Sequence, residues 1–420
     1  MPNQFTSSLW GDEAFSAILS MKPIPQIISI ISRDTSPPLY NLTEHLWFQI
    51  FGTSEVAIRA LSFLYYLIAV FFVYKLAKHL WDKKTAILAS VLTFLNPFFF
   101  IYAFEGRMYS ILAATVVASM YFFITQKWVG YVIATTAALY SHHFSLFGVF
   151  IQGLWFLKEL LWGKRKVAFS ILKSFVAIGI AYSPWLIPLY NQTKMVGGGF
   201  WLGTPTLKDL GKLILTYLNL SLVAILIRNW RKDLEKNIFL VAWFLGPILL
   251  TWIISQKFSS IFFDRYLLYT IPGAMLLAAS QRTRFSKFFL AATIIFFLLT
   301  TSYYFTHPIK RPFRDLANYV KESREDGDYI VNWYSNGTHH IWETKYYGIP
   351  GPIYVSQGGD LPFFVGTALM EKGDIISELP QKVSRIGVVT SGPIEEITLP
   401  GYTKEEERIF GSLKFLWLRK

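Results

Sequence analysis

The feature that most constrains this chain is a series of long apolar stretches, which fills most of its first 305 residues. A helix needs about 20 mostly apolar residues to cross the hydrocarbon core of a membrane. Such candidates lie near residues 56–77, 85–104, 107–125, 128–141, 143–160, 168–189, 210–227, 237–255, 264–280 and 286–305. We therefore expect residues 1–306 to form a mainly α, polytopic membrane helical bundle of about ten spans.

The composition supports a membrane protein and excludes several other classes. Hydrophobic residues make up 53% of the chain and charged residues only 16%, against about 25% charged residues in a soluble domain. The chain has no cysteine, which excludes a disulfide framework and a thiolate metal site. The net charge is +13, but the basic surplus lies between the apolar stretches. That distribution is typical of membrane loops, so we expect no nucleic-acid partner.

The loops between these stretches alternate in charge, and the alternation predicts an orientation. Basic residues dominate the loops near 75–84, 127, 158–166, 228–236 and 282–287. The other loops, together with residues 1–55, carry most of the acidic side chains of the helical part. Because loops rich in Lys and Arg stay on the cytoplasmic side, the acidic loops and everything after residue 305 should face outward. We expect a prokaryotic cytoplasmic membrane protein whose active site, including a catalytic outer loop at 1–55, faces outside.

The outward-facing segment 1–55 begins without a long apolar stretch of its own. A segment of that length needs a signal peptide or a preceding span to be translocated. We therefore expect one N-terminal span to be missing from the sequence as given, so that the complete bundle would have one span more than those counted above.

Residues 307–420 differ from the rest of the chain. Short strand patterns lie at 328–334, 352–357, 382–390 and 412–418, and helical patterns lie at 314–325 and 338–347. Alternating strand and helix patterns predict a small C-terminal α/β extracytoplasmic domain. This segment has no Gly-rich phosphate loop and no cluster of metal ligands in its sequence, so we expect it to bind or shield rather than catalyse.

The first outward loop holds the best candidates for catalysis. Asp12 and Glu13 precede an amphipathic pattern, and Asp34 precedes a Thr-Ser-Pro-Pro run that leads to Tyr40. An acidic pair at a helix start is favoured by the helix dipole, and Asp34 is suited to cap a turn. Capping and catalysis are therefore equally good interpretations of each residue alone. Three carboxylates together with aromatic side chains in one outward loop favour catalysis.

The other outward-facing candidates are suited to binding a phosphate or a sugar. They are Glu105, Arg107, Tyr109, His142, Arg265 and Tyr266. An arginine offers a planar fork of donors that matches a phosphate, and tyrosine rings suit sugars. The alternative interpretation is structural, because ion pairs and aromatic belts at a membrane interface use the same residue types. Adjacent histidines such as His142 and His143 do not share a helix face, so a metal site made by this pair alone is improbable.

The position of these ionisable residues bears on the kind of substrate. They gather at the ends of the predicted spans, whereas the span interiors are nearly devoid of them. A pump or secondary transporter should carry acids or bases near the middle of the membrane. Carboxylates and arginines beside lipid instead suit a substrate that has a lipid tail and a phosphate head.

In their order along the chain, these motifs resemble the GT-C fold glycosyltransferases, in particular the protein O-mannosyltransferases and the aminoarabinose transferase of lipid A. The matching motifs span residues 1–305 and are Leu9-Trp-Gly-Asp-Glu13, Asp34 with Pro37-Pro38-Leu39-Tyr40, Glu105-x-Arg107-x-Tyr109, Tyr140-Ser-His142 and Arg265-Tyr266. The resemblance implies that a polyprenyl phosphate carries one sugar. That sugar passes, with inversion, to an extracytoplasmic protein, lipid or glycan.

The resemblance also implies roles for individual residues. Asp12 would take the acceptor proton or orient the acceptor, with support from Glu13 and Asp34. Arg265 and Arg107 would bind the donor phosphate. The remaining residues of the donor phosphate and sugar site would be Tyr266, Glu105, Tyr109, His142 and Tyr40. Some relatives use a divalent metal ion and others use none; a metal here would have Asp12, Glu13 and His142 as candidate ligands, because thiolates are absent.

The alternative is a non-enzymatic carrier or flippase for a lipid-linked sugar, which would move the same amphiphile without breaking a bond. A carrier should have polar residues through the middle of its spans, so the outer-loop carboxylates favour an enzyme. Free polyprenyl phosphate appears only if a sugar is transferred, and this product separates the two hypotheses. An inactive relative of the transferases is a third alternative.

Overall fold

The computed structural model describes residues 3–228, 233–281, 283–380 and 382–420. Three basic residues that contributed to the orientation argument, Arg231, Lys232 and Arg282, lie outside the described residues. The helices are α1 (Gly11–Ser20), α2 (Ile24–Ile31), α3 (Leu39–Phe51), α4 (Glu55–Leu80), α5 (Lys83–Leu95), α6 (Pro97–Ile101), α7 (Tyr109–Ile124), α8 (Trp128–Ser141), α9 (Ser145–Trp162), α10 (Arg165–Tyr182), α11 (Leu186–Gly197), α12 (Leu207–Tyr217), α13 (Leu220–Arg228), α14 (Leu234–Ile254), α15 (Asp264–Leu267), α16 (Ile271–Ser280), α17 (Arg284–Thr306), α18 (Phe313–Ser323) and α19 (Ile341–Tyr346). The strands are β1 (Tyr329–Trp333), β2 (Ile353–Tyr354), β3 (Ile375–Ile376), β4 (Arg385–Thr390), β5 (Thr403–Phe410) and β6 (Leu413–Arg419). The chain is mainly helical, as predicted.

The chain divides into two compact units, and neither is continuous in sequence. The helical unit comprises Ile31–Thr43 and Arg59–Thr306. The sheet unit comprises Met1–Ile30, Glu44–Ile58 and His307–Lys420. The sheet unit therefore joins helix α1 to the C-terminal sheet, although the two stand at opposite ends of the sequence.

Length and composition identify the helices that can span a membrane. Among the described residues, five helical segments are long and apolar enough: Glu55–Leu80, Ser145–Trp162, Arg165–Gly197, Leu234–Ile254 and Ser286–Thr306. Two bent pairs raise the number to seven if each counts as one span, namely Lys83–Leu95 with Pro97–Phe104 and Leu207–Tyr217 with Leu220–Leu226. The chain is thus a multi-pass membrane protein, as predicted, but the count of about ten spans is not confirmed.

Shorter apolar helices account for the difference in span count. α7 has 16 residues, which is about 24 Å of helix against a hydrocarbon core of about 30 Å. Nearly all of its side chains are buried, because a helix that is apolar on every face is stable when neighbouring helices surround it. α8 and α16 are shorter still. An apolar stretch in a sequence does not by itself distinguish an enclosed helix from a spanning one.

One buried side chain ties two of the bends together. Asn96 precedes Pro97, which ends α5 because proline lacks the N–H that would continue the helix. The Asn96 side-chain oxygen accepts a hydrogen bond from Phe99 N at 3.0 Å and caps α6. Its side-chain nitrogen donates to the carbonyl of Tyr217 at 2.8 Å. This carbonyl lies at the end of α12, where the second helix pair bends by 95°, so Asn96 fixes both breaks.

The sheet of the sheet unit is mixed and has the strand order β3-β2-β1-β4-β6-β5. β1 pairs in parallel with β2 and β4, and β2 pairs in parallel with β3, whereas β6 is antiparallel to β4 and β5. Every residue of β4 is buried, and its Val388 packs with Val331 and Leu416 in the core. The predicted C-terminal domain with a small sheet is confirmed.

Helix α1 packs on α19 within the sheet unit. The rings of Phe15 and Trp342 meet edge to face, with centroids 5.4 Å apart. Gly366 lies against both rings with φ of +87°, and a Cβ there would come within 2.9 Å of Trp342 Nε1 and 3.0 Å of Phe15 Cδ2. Only glycine suits this position. The C-terminal part of the chain therefore forms the support on which α1 lies.

Candidate active site

Arg265 lies at the start of α15 in the helical unit and is surrounded by aromatic rings. Its guanidinium carbon is 4.7 Å from the ring centroid of Phe263, 5.6 Å from that of Tyr109 and 5.9 Å from that of Tyr266. Tyr109 and Tyr266 stack with centroids 6.2 Å apart. A guanidinium is weakly hydrated and stacks favourably on aromatic faces. The rings therefore hold a planar cation in a defined orientation, as recognition of a phosphate requires.

A series of hydrogen bonds fixes the backbone at Arg265. The Tyr217 hydroxyl donates to the carbonyl of Asp264, 47 residues away in sequence. Asn96 holds the carbonyl of Tyr217 in turn, and both side chains are fully buried. The Asp264 carboxylate accepts a hydrogen bond from Arg265 N at 2.7 Å. The bends of the helical unit therefore position this arginine.

The turn before α7 carries Glu105 and Arg107, and Tyr109 is the first residue of α7. The carbonyl of Glu105 accepts hydrogen bonds from Ser62 Oγ at 2.5 Å and from Arg107 N at 2.7 Å. Glu105 and Tyr109 are buried, and Arg107 is partly exposed. Because Tyr109 stacks on Tyr266, the turn adjoins the Arg265 cluster. The structure thus brings Tyr109 together with the Arg265-Tyr266 motif, which lies far from it in the sequence.

His142 follows the last residue of α8 and is buried beside Tyr266, with ring centroids 4.8 Å apart. Phe144 N donates to His142 Nδ1 at 3.1 Å, so the neutral ring carries its proton on Nε2. Burial lowers the pKa of His142 well below its ordinary value, and nearby positive charges, those of Arg107 and Arg265 among them, lower it further. His142 is therefore a neutral hydrogen-bond donor near two arginines.

Asp34 lies in the loop between α2 and α3, and Gln192 of α11 holds this loop. The Gln192 side-chain nitrogen donates to the carbonyls of Ile31 at 2.8 Å and Ser36 at 3.3 Å. Because carbonyls only accept, the Gln192 oxygen must face His143 Nε2, which lies 2.7 Å away and must donate. One buried carboxamide thus links the Asp34 loop to the residue that follows His142.

We predict that acid destabilises the folded helical unit through His143. Burial lowers the pKa of His143 to about 4, although the hydrogen bond to Gln192 opposes part of the shift. An unfolded histidine titrates near 6.5. Between these values the unfolded chain binds a proton that the folded chain does not, so stability falls as the pH drops from about 6.5 to about 4. The melting temperature of the purified protein, measured across this range, should fall accordingly.

Two histidine variants provide the comparison for this pH dependence. His143→Gln cannot titrate, so its melting temperature should fall less steeply than that of the wild type. His79 is exposed at the end of α4, and His79→Gln should follow the wild type. Equal pH dependence in the wild type and His143→Gln would contradict the prediction.

Asp12 and Glu13 occupy the first turn of α1 in the sheet unit. The Glu13 carboxylate is fully buried and lies 2.8 Å from Lys310 Nζ. It also accepts a hydrogen bond from Trp10 N at 3.5 Å, the contact of a capping box. The capping interpretation is therefore correct for Glu13, and a buried ammonium is a further partner. Asp12 is partly exposed.

The predicted site residues are distributed over both units. The helical unit holds Asp34, Tyr40, Glu105, Arg107, Tyr109, His142, Arg265 and Tyr266, and the sheet unit holds Asp12 and Glu13. Within the helical unit, Tyr109, His142, Arg265 and Tyr266 form one contiguous cluster. Tyr40 is buried in the first turn of α3.

The predicted metal ligands do not fit a metal ion. The part of the chain that the structure describes contains no group of three or more His, Cys, Asp or Glu side chains that could hold one. Glu13 is paired with the ammonium of Lys310, a cation that already neutralises its carboxylate. The set of Asp12, Glu13 and His142 therefore lacks support as a metal site.

Four residues that hold other parts of the structure by hydrogen bonds or an ion pair were not predicted from the sequence: Asn96, Gln192, Tyr217 and Lys310. Gln192 carried the clearest signal, because it is a carboxamide within the apolar segment Arg165–Gly197 and is only 2% exposed. A buried amide must be hydrogen-bonded. Tyr217 and Lys310 are of residue types common at membrane interfaces and on surfaces, and nothing in the sequence distinguished them.

Comparison with known proteins finds a family model that matches part of the chain, and solved structures that share its fold. The model of the family described as dolichyl-phosphate-mannose-protein mannosyltransferase matches residues 35–188. No curated protein sequence matches the chain. The crystal structure of ArnT from Cupriavidus metallidurans in the apo state has a TM-score of 0.68 at 12% identity, covering 98% of this chain and 94% of that chain. The resemblance to the GT-C fold glycosyltransferases is confirmed.

Two further solved structures share this GT-C fold. ArnT from the same organism, bound to undecaprenyl phosphate, has a TM-score of 0.66 at 12% identity and covers 99% and 94% of the two chains. The Archaeoglobus fulgidus oligosaccharyltransferase in complex with Zn and sulfate has a TM-score of 0.54 at 13% identity, over 91% of this chain and 64% of that chain. The segment matched by the family model includes Tyr40, the Glu105–Tyr109 turn and His142, whereas Asp12, Asp34 and Arg265 lie outside it.

Proposed function

We propose that this protein is an integral-membrane inverting glycosyltransferase. It takes a sugar from a polyprenyl-phosphate donor and transfers it to an acceptor outside the cytoplasm, which is a protein, a lipid or a glycan. The alternating loop charges support a site that faces away from the cytoplasm, and we place the protein in a prokaryotic cytoplasmic membrane. The GT-C fold supports a transferase, and ArnT in complex with undecaprenyl phosphate supports a donor of the lipid phosphate class.

The observation that carries the proposal is the cluster around Arg265. It combines a guanidinium held by three aromatic rings with the neutral ring of His142. It also includes Arg107, which is close enough to His142 for its charge to lower the pKa of that ring. Cations suit a phosphate, whereas a neutral donor and aromatic faces suit sugar hydroxyls and the apolar faces of a sugar ring. We assign Arg265 and Arg107 to the donor phosphate and His142 to the sugar or phosphate. Tyr40, Glu105, Tyr109 and Tyr266 complete this donor site.

The chemistry requires a base more than it requires an acid. The acceptor hydroxyl attacks the anomeric carbon, the bond from that carbon to the phosphate oxygen breaks, and its electron pair leaves on the lipid phosphate. That leaving group is already a weak base, so no proton donor is needed, and positive charge stabilises it as it departs. The acceptor proton goes to a carboxylate, which we assign to Asp12. Asp34 supports it by holding the acceptor, and Glu13 by fixing α1.

The proposal is tested by following polyprenyl phosphate. The protein, purified and placed in lipid vesicles, is given a panel of polyprenyl-phosphate sugars together with an envelope extract as the source of acceptors. We expect release of polyprenyl phosphate, detected by mass spectrometry, that depends on the protein and on the extract. Binding of donors without release from any of them would contradict the transferase and favour the carrier or an inactive relative.

We expect Gln192→Leu to slow transfer about tenfold. Leucine has similar volume but cannot hold the Asp34 loop or accept from His143. A lost hydrogen bond in a protein is worth about 1 kcal/mol, and about 1.4 kcal/mol corresponds to a tenfold change in rate. The measurement is kcat/KM for the acceptor in the release assay.

The matched control for this variant is Gln256→Leu. The Gln256 side chain likewise donates to two backbone carbonyls, those of Pro205 at 2.8 Å and Trp252 at 3.3 Å, but it holds a different loop. We expect it to retain its kcat/KM. Equal rates for both variants and the wild type would show that the Asp34 loop needs no such restraint.

A further inference from the structure

Lys310 forms a buried ion pair with the first turn of α1 in the sheet unit. Its Nζ lies 2.8 Å from Glu13 Oε2, and the two side chains are 9% and 0% exposed. Another ion pair of the same unit, between Lys22 and Glu371 at 2.9 Å, has exposures of 24% and 67%. Exposed pairs contribute little, whereas a buried charge needs its partner. Removing one partner of the Lys310–Glu13 pair should therefore destabilise the folded sheet unit.

Because residues of a helix keep fixed positions relative to one another, this contact also sets the position of Asp12. Successive residues in an α-helix are turned by 100° about its axis. Glu13 is locked into the interior by Lys310, so the rotation of α1 is set and the adjacent Asp12 is left partly exposed. If α1 turned about its axis, Asp12 would move with Glu13.

Other residues from the C-terminal part hold the chain leading into α1. Arg314 donates to the carbonyl of Thr6 at 3.0 Å and to the Glu55 carboxylate at 2.6 Å. Leu9 N donates to the Tyr347 hydroxyl at 2.8 Å, and that hydroxyl donates to Glu55 at 3.0 Å. These contacts fix where α1 begins, but they act on residues before it. Two contacts act on the helix itself: Lys310 pairs with Glu13 in its first turn, and Trp342 packs against Phe15 in the turn that follows.

A second carboxylate lies under the start of the helix. A Cβ added at Gly11 would lie 3.5 Å from Oε1 of Glu343, whose carboxylate is buried beside His340 Nδ1 at 3.2 Å. His340 Nε2 in turn lies 3.0 Å from Oγ of Ser391, the residue that follows β4. Negative charge at a helix N-terminus is favoured by the dipole. Glu343 thus lies beside the N-terminus of α1, and Lys310 binds Glu13 in its first turn.

We propose that Lys310 is a positioning residue for sugar transfer, which sets the rotation of α1 through Glu13 and thereby aims the carboxylate of Asp12. This inference rests on the proposed function, in which Asp12 takes the acceptor proton. It gives the C-terminal sheet a part in the reaction that does not require it to touch the substrate.

The kinetic test uses one single variant, one double variant and one control. Lys310→Met should lower kcat about 100-fold, because a displacement of about 1 Å in a reacting group costs that much. The KM for the donor should change less than about twofold. Lys310→Met also leaves the Glu13 charge buried without this partner, so its melting temperature should fall. Lys22→Met, in the exposed pair, should change neither kcat nor the melting temperature.

The double variant Lys310→Met/Glu13→Gln separates positioning from charge compensation. It removes both charges, and glutamine keeps the capping-box contact with Trp10, so the melting temperature should return toward that of the wild type. We expect its kcat to stay low, because the ion pair that sets the rotation of α1 is absent. A double variant with the kcat of the wild type would overturn the proposal.

A second measurement does not depend on activity. The chain has no cysteine, so a single thiol reports on one position. Asp12→Cys should react with a water-soluble maleimide far faster than Ala14→Cys, since Ala14 is fully buried. Adding Lys310→Met/Glu13→Gln should shrink this ratio at least about tenfold, because a change in the rotation of α1 exchanges exposure between positions that are turned by about 100° per residue. An unchanged ratio would overturn the proposal, whereas a wild type that releases no polyprenyl phosphate would overturn the proposed function alone.

Discussion

Asp12→Asn is expected to lower sugar transfer by about 10²- to 10⁴-fold, the range that a positioned general base contributes. Asparagine has nearly the same shape as aspartate but cannot accept the acceptor proton. Asp12 is partly exposed in the first turn of α1, so the substitution does not strand a buried charge. The melting temperature should therefore change little, and the loss should appear in kcat of the release assay.

The matched control is an aspartate with a similar local setting. Asp209 stands in the first turn of α12 and forms a capping box with Thr206, at 2.8 Å from its backbone nitrogen. Asp209→Asn removes the negative charge from a helix start in the same way, so any general effect of helix capping appears in both variants. Normal turnover by Asp12→Asn would exclude this residue as the base and would make Asp34 the next candidate, because Glu13 is already paired with Lys310.

Arg265→Met is expected to reduce kcat/KM for the donor by about 10²- to 10³-fold, as removal of one group that stabilises developing charge does. Methionine retains much of the apolar contact with Phe263, Tyr109 and Tyr266 but lacks the charge that the departing phosphate requires. Arg265→Lys should recover only part of the loss, because an ammonium lacks the planar fork and the stacking of a guanidinium. The release assay at varied donor concentration measures both variants.

The control for Arg265 is another arginine on an aromatic ring. The guanidinium carbon of Arg408 lies 5.6 Å from the ring centroid of Tyr319, the same distance as between Arg265 and Tyr109. Arg408 is exposed on β5 of the sheet unit. Arg408→Met should keep its kcat/KM. If Arg265→Met binds and uses the donor as the wild type does, the phosphate-binding assignment is wrong and Arg107 becomes the test of it.

The sequence was a good guide to the helices but not to how many of them span. The stretch 56–77 lies within Glu55–Leu80, which is long enough to cross, whereas 264–280 became the short helices α15 and α16 joined by a 3-10 turn at Leu268–Thr270. Hydropathy measures how strongly a segment avoids water. Burial against other helices and burial in lipid satisfy that preference equally well.

In the sheet, burial decided which strands could be predicted. β4, with sequence RIGVVT, is wholly buried and was predicted from its apolar run. β5, with sequence TKEEERIF, was not predicted, because it is a polar edge strand with mostly exposed side chains. Its pairing with β6 supplies the order that its residues do not signal. Charged residues on an edge strand protect the sheet from further pairing, so the missing signal has a physical cause.

The candidate residues followed from chemistry that is local to each motif. A carboxylate pair, an arginine fork and a tyrosine ring have their properties wherever they lie, so Asp12, Arg265 and Tyr109 could be selected from the sequence. Which partners each one meets depends on packing between distant segments. The partner of Glu13 is almost 300 positions away at Lys310, and that of the Asp34 loop is Gln192.

The sequence by itself determined that this chain is a membrane protein with a C-terminal sheet and a set of polar motifs at the ends of its apolar stretches, because hydropathy is a sum over neighbouring residues. Only the tertiary structure decided that Tyr109 and His142 join Arg265 and Tyr266 in one cluster, and that α1 shares a unit with the sheet and pairs with Lys310. Such contacts arise from the close packing of segments far apart in the chain, which no local pattern encodes.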